Sequence, residues 1–218
     1  LRLMKMPTTN SKKTHLLTYS EPDSIISDQF RTIRTNIRFL TNDKENNIIL
    51  VTSPEDGEGK STMITNLAVS IATQKEKVLL IDANLRGSII HRTFYVPNDI
   101  GLANVLKGYA PLETAVTKTD IEQLDVLTSG TEVANPTELL GSANMTNLLK
   151  EVAPAYDMVL IDSPTILKST ETRELANQCS GVILVVTCGK TGMAKLMEAK
   201  RILKLAHAKL MGVIFNDR

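Results

Sequence analysis

From Ser24 onward the apolar residues Ile26, Phe30, Ile33, Ile37 and Leu40 recur at alternating steps of four and three. That spacing lays them along one stripe of an α-helix, and Ser24 stands where an N-cap hydroxyl belongs. Arg31, Arg34 and Arg38 fall off the stripe, the usual position of a solvated face. After residues 41–47 the period changes. Residues 48–52, Ile-Ile-Leu-Val-Thr, read as a short apolar strand, residues 61–73 as a helix and residues 78–81 as the next strand. Further strands are predicted over 124–127, 158–161, 182–186 and 211–215, and helices over 137–152, 171–178 and 194–206. Continuous apolar runs separated by helices are strands buried on both faces. The fold class is therefore α/β, in three layers, with a central mainly parallel sheet and helices on either side.

Residues 1–20 lack this periodicity. Their polar run Met4-Lys5-Met6-Pro7-Thr8-Thr9-Asn10-Ser11-Lys12-Lys13 reads as a lead-in, leaving residues 21–218 as one domain. A chain of 218 residues suffices for one α/β domain and is short for two. The formal net charge of +1 disfavours nucleic acid as a partner. Two cysteines and three scattered histidines make neither a disulfide framework nor a metal cluster, and this usage fits a reducing, cytoplasmic setting. No apolar stretch approaches the roughly 18 residues that span a bilayer. With Leu1 in place of an initiator methionine, the chain is expected to be a fragment or a processed product, and any membrane anchor is expected outside it.

The first strand runs into Ser53-Pro54-Glu55-Asp56-Gly57-Glu58-Gly59-Lys60-Ser61-Thr62 and then into a helix. Strand, Gly-x-Gly-Lys-Ser-Thr, helix is the order of a phosphate-binding P-loop, although Pro54 stands where the general motif has its first glycine. Gly57 and Gly59 let backbone amides approach phosphate oxygens, and the helix that follows presents free N–H groups and its positive end. Lys60 would neutralise β- and γ-phosphate oxygens, and Ser61 would offer its hydroxyl to magnesium. Two further strands end in an acid, Asp82 and Asp162, at the carboxyl edge where open parallel sheets bind ligands. Asp162 would reach magnesium, and Asp82 would touch the metal shell or orient a nucleophile. ATP and Mg²⁺ are thus the expected cofactors.

These motifs resemble those of the bacterial tyrosine kinases of capsule and exopolysaccharide synthesis. Asp82-Ala83-Asn84-Leu85-Arg86 is similar to that family's second Walker-type motif, D-x-D-[LM]-R, and its P-loop also lacks the first glycine. The run from Asp28 to Arg34 resembles its E-x-x-R-x-x-R helix, and Asn135-Pro136-Thr137-Glu138-Leu139-Leu140 its N-P-x-E-L-L segment. The resemblance covers residues 19–216, with four motifs in the family's order. It implies a P-loop NTPase fold related to the MinD/ParA-type ATPases. It implies transfer of the ATP γ-phosphoryl group to protein tyrosines in trans, between subunits of a ring that Asp28, Arg31 and Arg34 would help to build. Lys60, Asp82, Asn84 and Asp162 would form the catalytic set. Residues Gly57 to Thr62 would hold the nucleotide phosphates, and Asn216 would contact adenine. A membrane-anchored activator of the polysaccharide co-polymerase type would recruit the domain to the inner face of the membrane, and residues 1–18 would be native lead-in or a piece of such an activator.

The match has departures. Asn84 replaces the second acid of its motif, Gly87 and Ser88 follow Arg86 in place of Lys-Pro, Thr165 replaces a second proline, and the tyrosines Tyr19, Tyr95, Tyr109 and Tyr156 form no C-terminal cluster. Two other functions therefore stay open: a pseudokinase that binds ATP without transferring phosphate, and a MinD/ParA-like ATPase. Against the last, Glu55 stands where that group carries an extra lysine.

Overall fold

The computed structural model describes residues 16–41 and 47–217. In chain order its elements are α1 (Leu17–Ser20), α2 (Ile25–Leu40), β1 (Ile48–Thr52), α3 (Lys60–Ala72), β2 (Val78–Asp82), α4 (Ile90–Phe94), α5 (Leu102–Leu106), α6 (Leu112–Ala115), β3 (Val116–Lys118) and β4 (Leu124–Leu127). They continue with α7 (Pro136–Leu140), α8 (Ala143–Val152), β5 (Met158–Asp162), α9 (Thr170–Gln178), β6 (Gly181–Thr187), α10 (Met193–Leu205) and β7 (Leu210–Asn216). One sheet holds all seven strands in the order β3-β4-β2-β5-β1-β6-β7. Every pairing is parallel except that of β3 with β4.

The period of two assigns each strand residue to a layer. Ile48, Leu50, Leu79, Ile81, Val159, Ile161, Val182 and Leu184 enter one apolar cluster with α5, α8, α9 and α10. Ile49, Val51, Val78, Leu80, Met158, Leu160, Ile183 and Val185 enter the other, with α2 and α3. Strands buried on both faces are what the unbroken apolar runs predict.

Ser24 caps α2 as expected, its hydroxyl accepting from Ser27 N. Of the stripe, Phe30 and Ile37 are buried, whereas Ile26 and Leu40 stay exposed beside a groove. The polar run over residues 4–13 lies outside the described residues. Residues 16–20, the described end of that lead-in, pack on α3. Leu16 is buried, Thr18 N donates to Asn66 Oδ1 at 3.0 Å, and Thr18 Oγ1 donates to Asn66 O at 3.1 Å.

The single helix predicted over 137–152 is two, divided at Gly141 and Ser142. Pro136 starts the first and Ser142 caps the second by accepting from Met145 N. Helices α4 to α6 and strand β3 are three to five residues each, too short to carry a period, and went unpredicted.

Candidate active site

Strand β1 delivers the phosphate loop to the N-terminus of α3. Gly57 and Gly59 sit at φ +70° and +83°, the left-handed region that glycine enters without cost from a Cβ. The loop is gripped from outside. Lys190 Nζ donates to Asp56 O at 3.0 Å and to Gly57 O at 3.2 Å, and Asn216 Nδ2 donates to Glu58 O at 3.1 Å. Glu58 points its carboxylate into the protein rather than toward a ligand. It is wholly buried, accepts a short hydrogen bond from Thr191 Oγ1 and takes Glu55 N at 3.3 Å. Of the predicted phosphate-binding residues, Glu58 therefore has only its backbone to offer. Lys60 donates no side-chain hydrogen bond among the described residues, so its ammonium is available to an anion.

Ser61, on the first turn of α3, donates its hydroxyl to Asp162 Oδ2 at 2.6 Å. Asp162 ends β5, and its other oxygen, Oδ1, is buried without a hydrogen-bond partner. Beside it Asp82 ends β2, the two residues paired in register. Asp82 Oδ1 accepts from Asn84 N at 3.1 Å, and Oδ2 accepts from Ser88 Oγ at 2.7 Å and Ile90 N at 3.3 Å. Burial pushes the Asp82 carboxyl up to about 6 against these hydrogen bonds. Asp162 is pushed up to about 7, first by burial and then by the charge of Asp82, with Ser61 and Lys60 pulling the other way. A hydroxyl, two buried carboxylates that resist ionising together and one orphaned carboxylate oxygen fit a hard divalent cation. No group of three or more His, Cys, Asp or Glu side chains surrounds a common point among the described residues. This donor set would accordingly leave coordination positions for phosphate oxygens and water, as magnesium sites commonly do.

Asn84 follows in the β2–α4 turn. Its amide Nδ2 donates to Gly87 O at 3.1 Å, so it closes its own turn. Arg86 is exposed and meets Glu171, with Nε 3.5 Å from Oε1. Glu171 is buried on the first turn of α9, and its Oε2 accepts from Thr137 Oγ1 at 3.1 Å. The carboxylate thus joins the Asp82–Arg86 motif to the Asn135–Leu140 motif. Sequence reasoning missed Glu171, because a lone acid on a polar first turn looks like any helix start. It also missed Ser88, Lys190 and Thr191, whose partners are distant backbone groups or buried carboxylates.

The α2 residues stand apart from this chemistry. Asp28 and Arg31 pair at 2.5 Å on the exposed face, and Arg31 also reaches Pro22 O at 2.6 Å. Arg34 Nη1 donates to Ser70 O at 2.5 Å and Ser70 Oγ at 3.1 Å, satisfying a carbonyl of the last turn of α3. Both arginines thus have partners within their own chain. The opposite side of α2, with Gln29, Phe30, Ile33 and Ile37, lines a groove of about 850 Å³ shared with Gly59, Thr62, Met211, Ile214 and Asn216. Asn216 therefore stands at the junction of groove and phosphate loop, and Thr62 on the groove wall. No helix among the described residues is long and apolar enough to cross a membrane.

This geometry has known counterparts. Residues 46–211 match the family model described as an AAA domain. The tyrosine-protein kinase YwqD of Bacillus subtilis is 43% identical over 94% of this chain and 86% of its own length. The kinase domain of the Escherichia coli tyrosine kinase ETK superposes with a TM-score of 0.91 at 28% identity, covering 98% of this chain and 84% of that one. The septum site-determining protein MinD of Pyrococcus horikoshii, solved with Mg-ADP, superposes with a TM-score of 0.68 at 27% identity, over 78% of this chain and 70% of its own. With its phosphate loop, its two strand-end aspartates and these likenesses, the chain belongs to the AAA-domain P-loop proteins and, among them, to the family of the bacterial tyrosine-protein kinases.

Proposed function

We propose that the chain is an ATP-dependent protein-tyrosine autokinase that modifies tyrosines in trans and regulates capsule or exopolysaccharide synthesis. The observation that carries this is the convergence of Ser61, Asp82 and Asp162 beside the phosphate loop, in a chain of the tyrosine-kinase family. In this reading the backbone from Gly57 to Thr62 and the Lys60 ammonium hold the β- and γ-phosphates. The groove between α2 and β7 takes the base, with Asn216 at its entrance. Ser61, Asp162 and Asp82 would hold Mg²⁺, which neutralises charge on the phosphate oxygens when bound. The acceptor tyrosine oxygen bonds to the γ-phosphorus as the bond to the β–γ bridging oxygen breaks, and ADP departs with that electron pair. The phenolic proton passes to a carboxylate, and Asp82, which ends β2 beside Asp162, would orient the hydroxyl and receive it. Asp28, Arg31 and Arg34 would exchange their internal partners for a neighbouring subunit in a ring. A membrane-anchored activator of the polysaccharide co-polymerase type would bring the domain to the inner face of the membrane.

A second reading is a pseudokinase. It is favoured by Asn84, whose amide is spent on Gly87 O and carries no charge to the site. A phosphotransfer assay separates the two. It uses radiolabelled ATP, magnesium, a tyrosine-rich acceptor peptide, the unmodified chain and an Asn84→Asp variant. The proposal expects label on tyrosine from the unmodified chain. Label from Asn84→Asp alone would make the natural chain a disabled kinase, and nucleotide binding without label from either would overturn the kinase reading.

A further inference from the structure

Three successive carbonyls of the phosphate loop are held by side chains from elsewhere in the fold: Asp56 O and Gly57 O by Lys190, and Glu58 O by Asn216. A trans peptide sets its N–H opposite its C=O. Gripping these oxygens from outside therefore turns the N–H groups of Gly57, Glu58 and Gly59 to the other side, where a run of amides makes an anion-binding hollow. The Lys190 ammonium also polarises the two peptides it binds, which makes their N–H groups better donors. The segment after β6 supplies more than this one contact. Thr191 Oγ1 donates to the buried Glu58 carboxylate and Thr191 also accepts from Thr187 N at 3.0 Å, while Lys195 pairs with Glu55 at 2.5 Å. Gly189, at φ +72°, lets the chain turn sharply enough to bring Lys190 over the loop. Lys168, from before α9, pairs with the Asp56 carboxylate at 2.6 Å.

We infer that Lys190 is a positioning residue for phosphate binding: with Thr191 it forms a strap, built from the β6–α10 connection, that presets the phosphate loop to receive a polyphosphate. The inference rests on the nucleotide-binding part of the proposed function and is independent of whether phosphate is transferred to tyrosine. A strap acting on the amides of the loop lowers affinity for any polyphosphate when it is cut, whether or not a base is attached. A contact to the base lowers affinity for the nucleotide alone.

The test is calorimetric titration of the full chain with magnesium-ATP and, separately, with magnesium tripolyphosphate. The unmodified chain is compared with Lys190→Met, Lys190→Arg and Thr191→Val. The expected result is a loss of about five- to tenfold for both ligands in Lys190→Met, the scale of one charge-assisted hydrogen-bond network. Recovery of most of that loss is expected in Lys190→Arg, and a smaller loss in Thr191→Val. Thermal unfolding without ligand should be nearly the same in Lys190→Met and the parent, because Lys190 is exposed. Unchanged affinity in Lys190→Met would overturn the inference, as would a loss confined to ATP. A loss matched by a general fall in ligand-free stability, and not recovered in Lys190→Arg, would reduce Lys190 to a structural contact. If the unmodified chain bound neither ligand, the nucleotide reading itself would fall, an outcome visible before any variant is compared.

Discussion

Asp82 and Asp162 are the last residues of neighbouring parallel strands, paired in register and both removed from solvent, with Asp162 Oδ1 left without a partner. Two carboxylates in that relation cannot both ionise cheaply without a cation.

This sets the pH dependence of the metal-free chain. Both carboxyls titrate above the ordinary value of 3.8 when folded, at about 6 for Asp82 and about 7 for Asp162. A raised folded value means the stability tied to these groups is fully present below about pH 4 and is lost as pH rises through 6 to 7. Asp162→Asn keeps an oxygen for the Ser61 hydroxyl and removes the charge. The metal-free variant is expected to match the parent near or below pH 4 and to exceed it at pH 8 by on the order of 1–3 kcal/mol. Urea unfolding at the two pH values checks this. Magnesium-ATP should stabilise the parent and not the variant, and a variant less stable than the parent at pH 8 would contradict the argument.

Asn84 has a structural cost attached to restoring the family's acid. The Asn84 amide donates to Gly87 O, and an aspartate there cannot donate. It also adds a third carboxylate beside Asp82. Asn84→Asp should therefore lower metal-free stability by about 1–2 kcal/mol, seen as about 2–8 °C in thermal unfolding. Magnesium-ATP should recover most of that difference if the added acid faces the metal.

Much of this arrangement was legible in the sequence, and for definable reasons. Apolar runs such as Val78–Asp82 and Met158–Asp162 are buried on both faces, so burial itself writes the pattern and marks the acid at each end. The phosphate loop was legible because glycines at positive φ and a following helix leave a local signature. What stayed hidden rests on pairs remote in the chain. Thr18 is one polar residue in a stretch without periodicity, yet it is buried against Asn66. Glu171 reads as a first-turn acid, yet it is buried between Arg86 and Thr137. Gly141 and Ser142 split a helix whose apolar period runs nearly unbroken through them.

The Glu171 link can be cut. Glu171→Ala frees Arg86 and leaves the Thr137 hydroxyl without this acceptor, at a cost of about 1–3 kcal/mol. Phosphotransfer should fall further than stability accounts for, since Arg86 belongs to the Asp82–Arg86 turn. Glu171→Gln keeps the acceptor for Thr137 and loses the charge facing Arg86. It should be close to the parent in thermal stability while still reduced in transfer. Equal activity in Glu171→Gln and the parent would restrict this residue to holding the fold.

The two cysteines provide a chemical reading of the same sheet. Cys188 is exposed at the end of β6, where its N–H donates to Asn216 O at 3.0 Å. Cys179 is partly buried against the core face, and desolvation there pushes its thiol up to about 12. At pH 7.5 its thiolate fraction is on the order of 10⁻⁴ or less, and the thiolate is the species that attacks a maleimide. Folded protein should take up one equivalent of maleimide quickly, at Cys188, with the second following far more slowly, because Cys179 is partly buried and scarcely ionised. Mass spectrometry of digests after timed labelling assigns the two sites. In mild urea the Cys179 rate should rise in step with unfolding, while the Cys188 rate stays nearly constant. Prompt labelling of Cys179 in the native chain would contradict this reading.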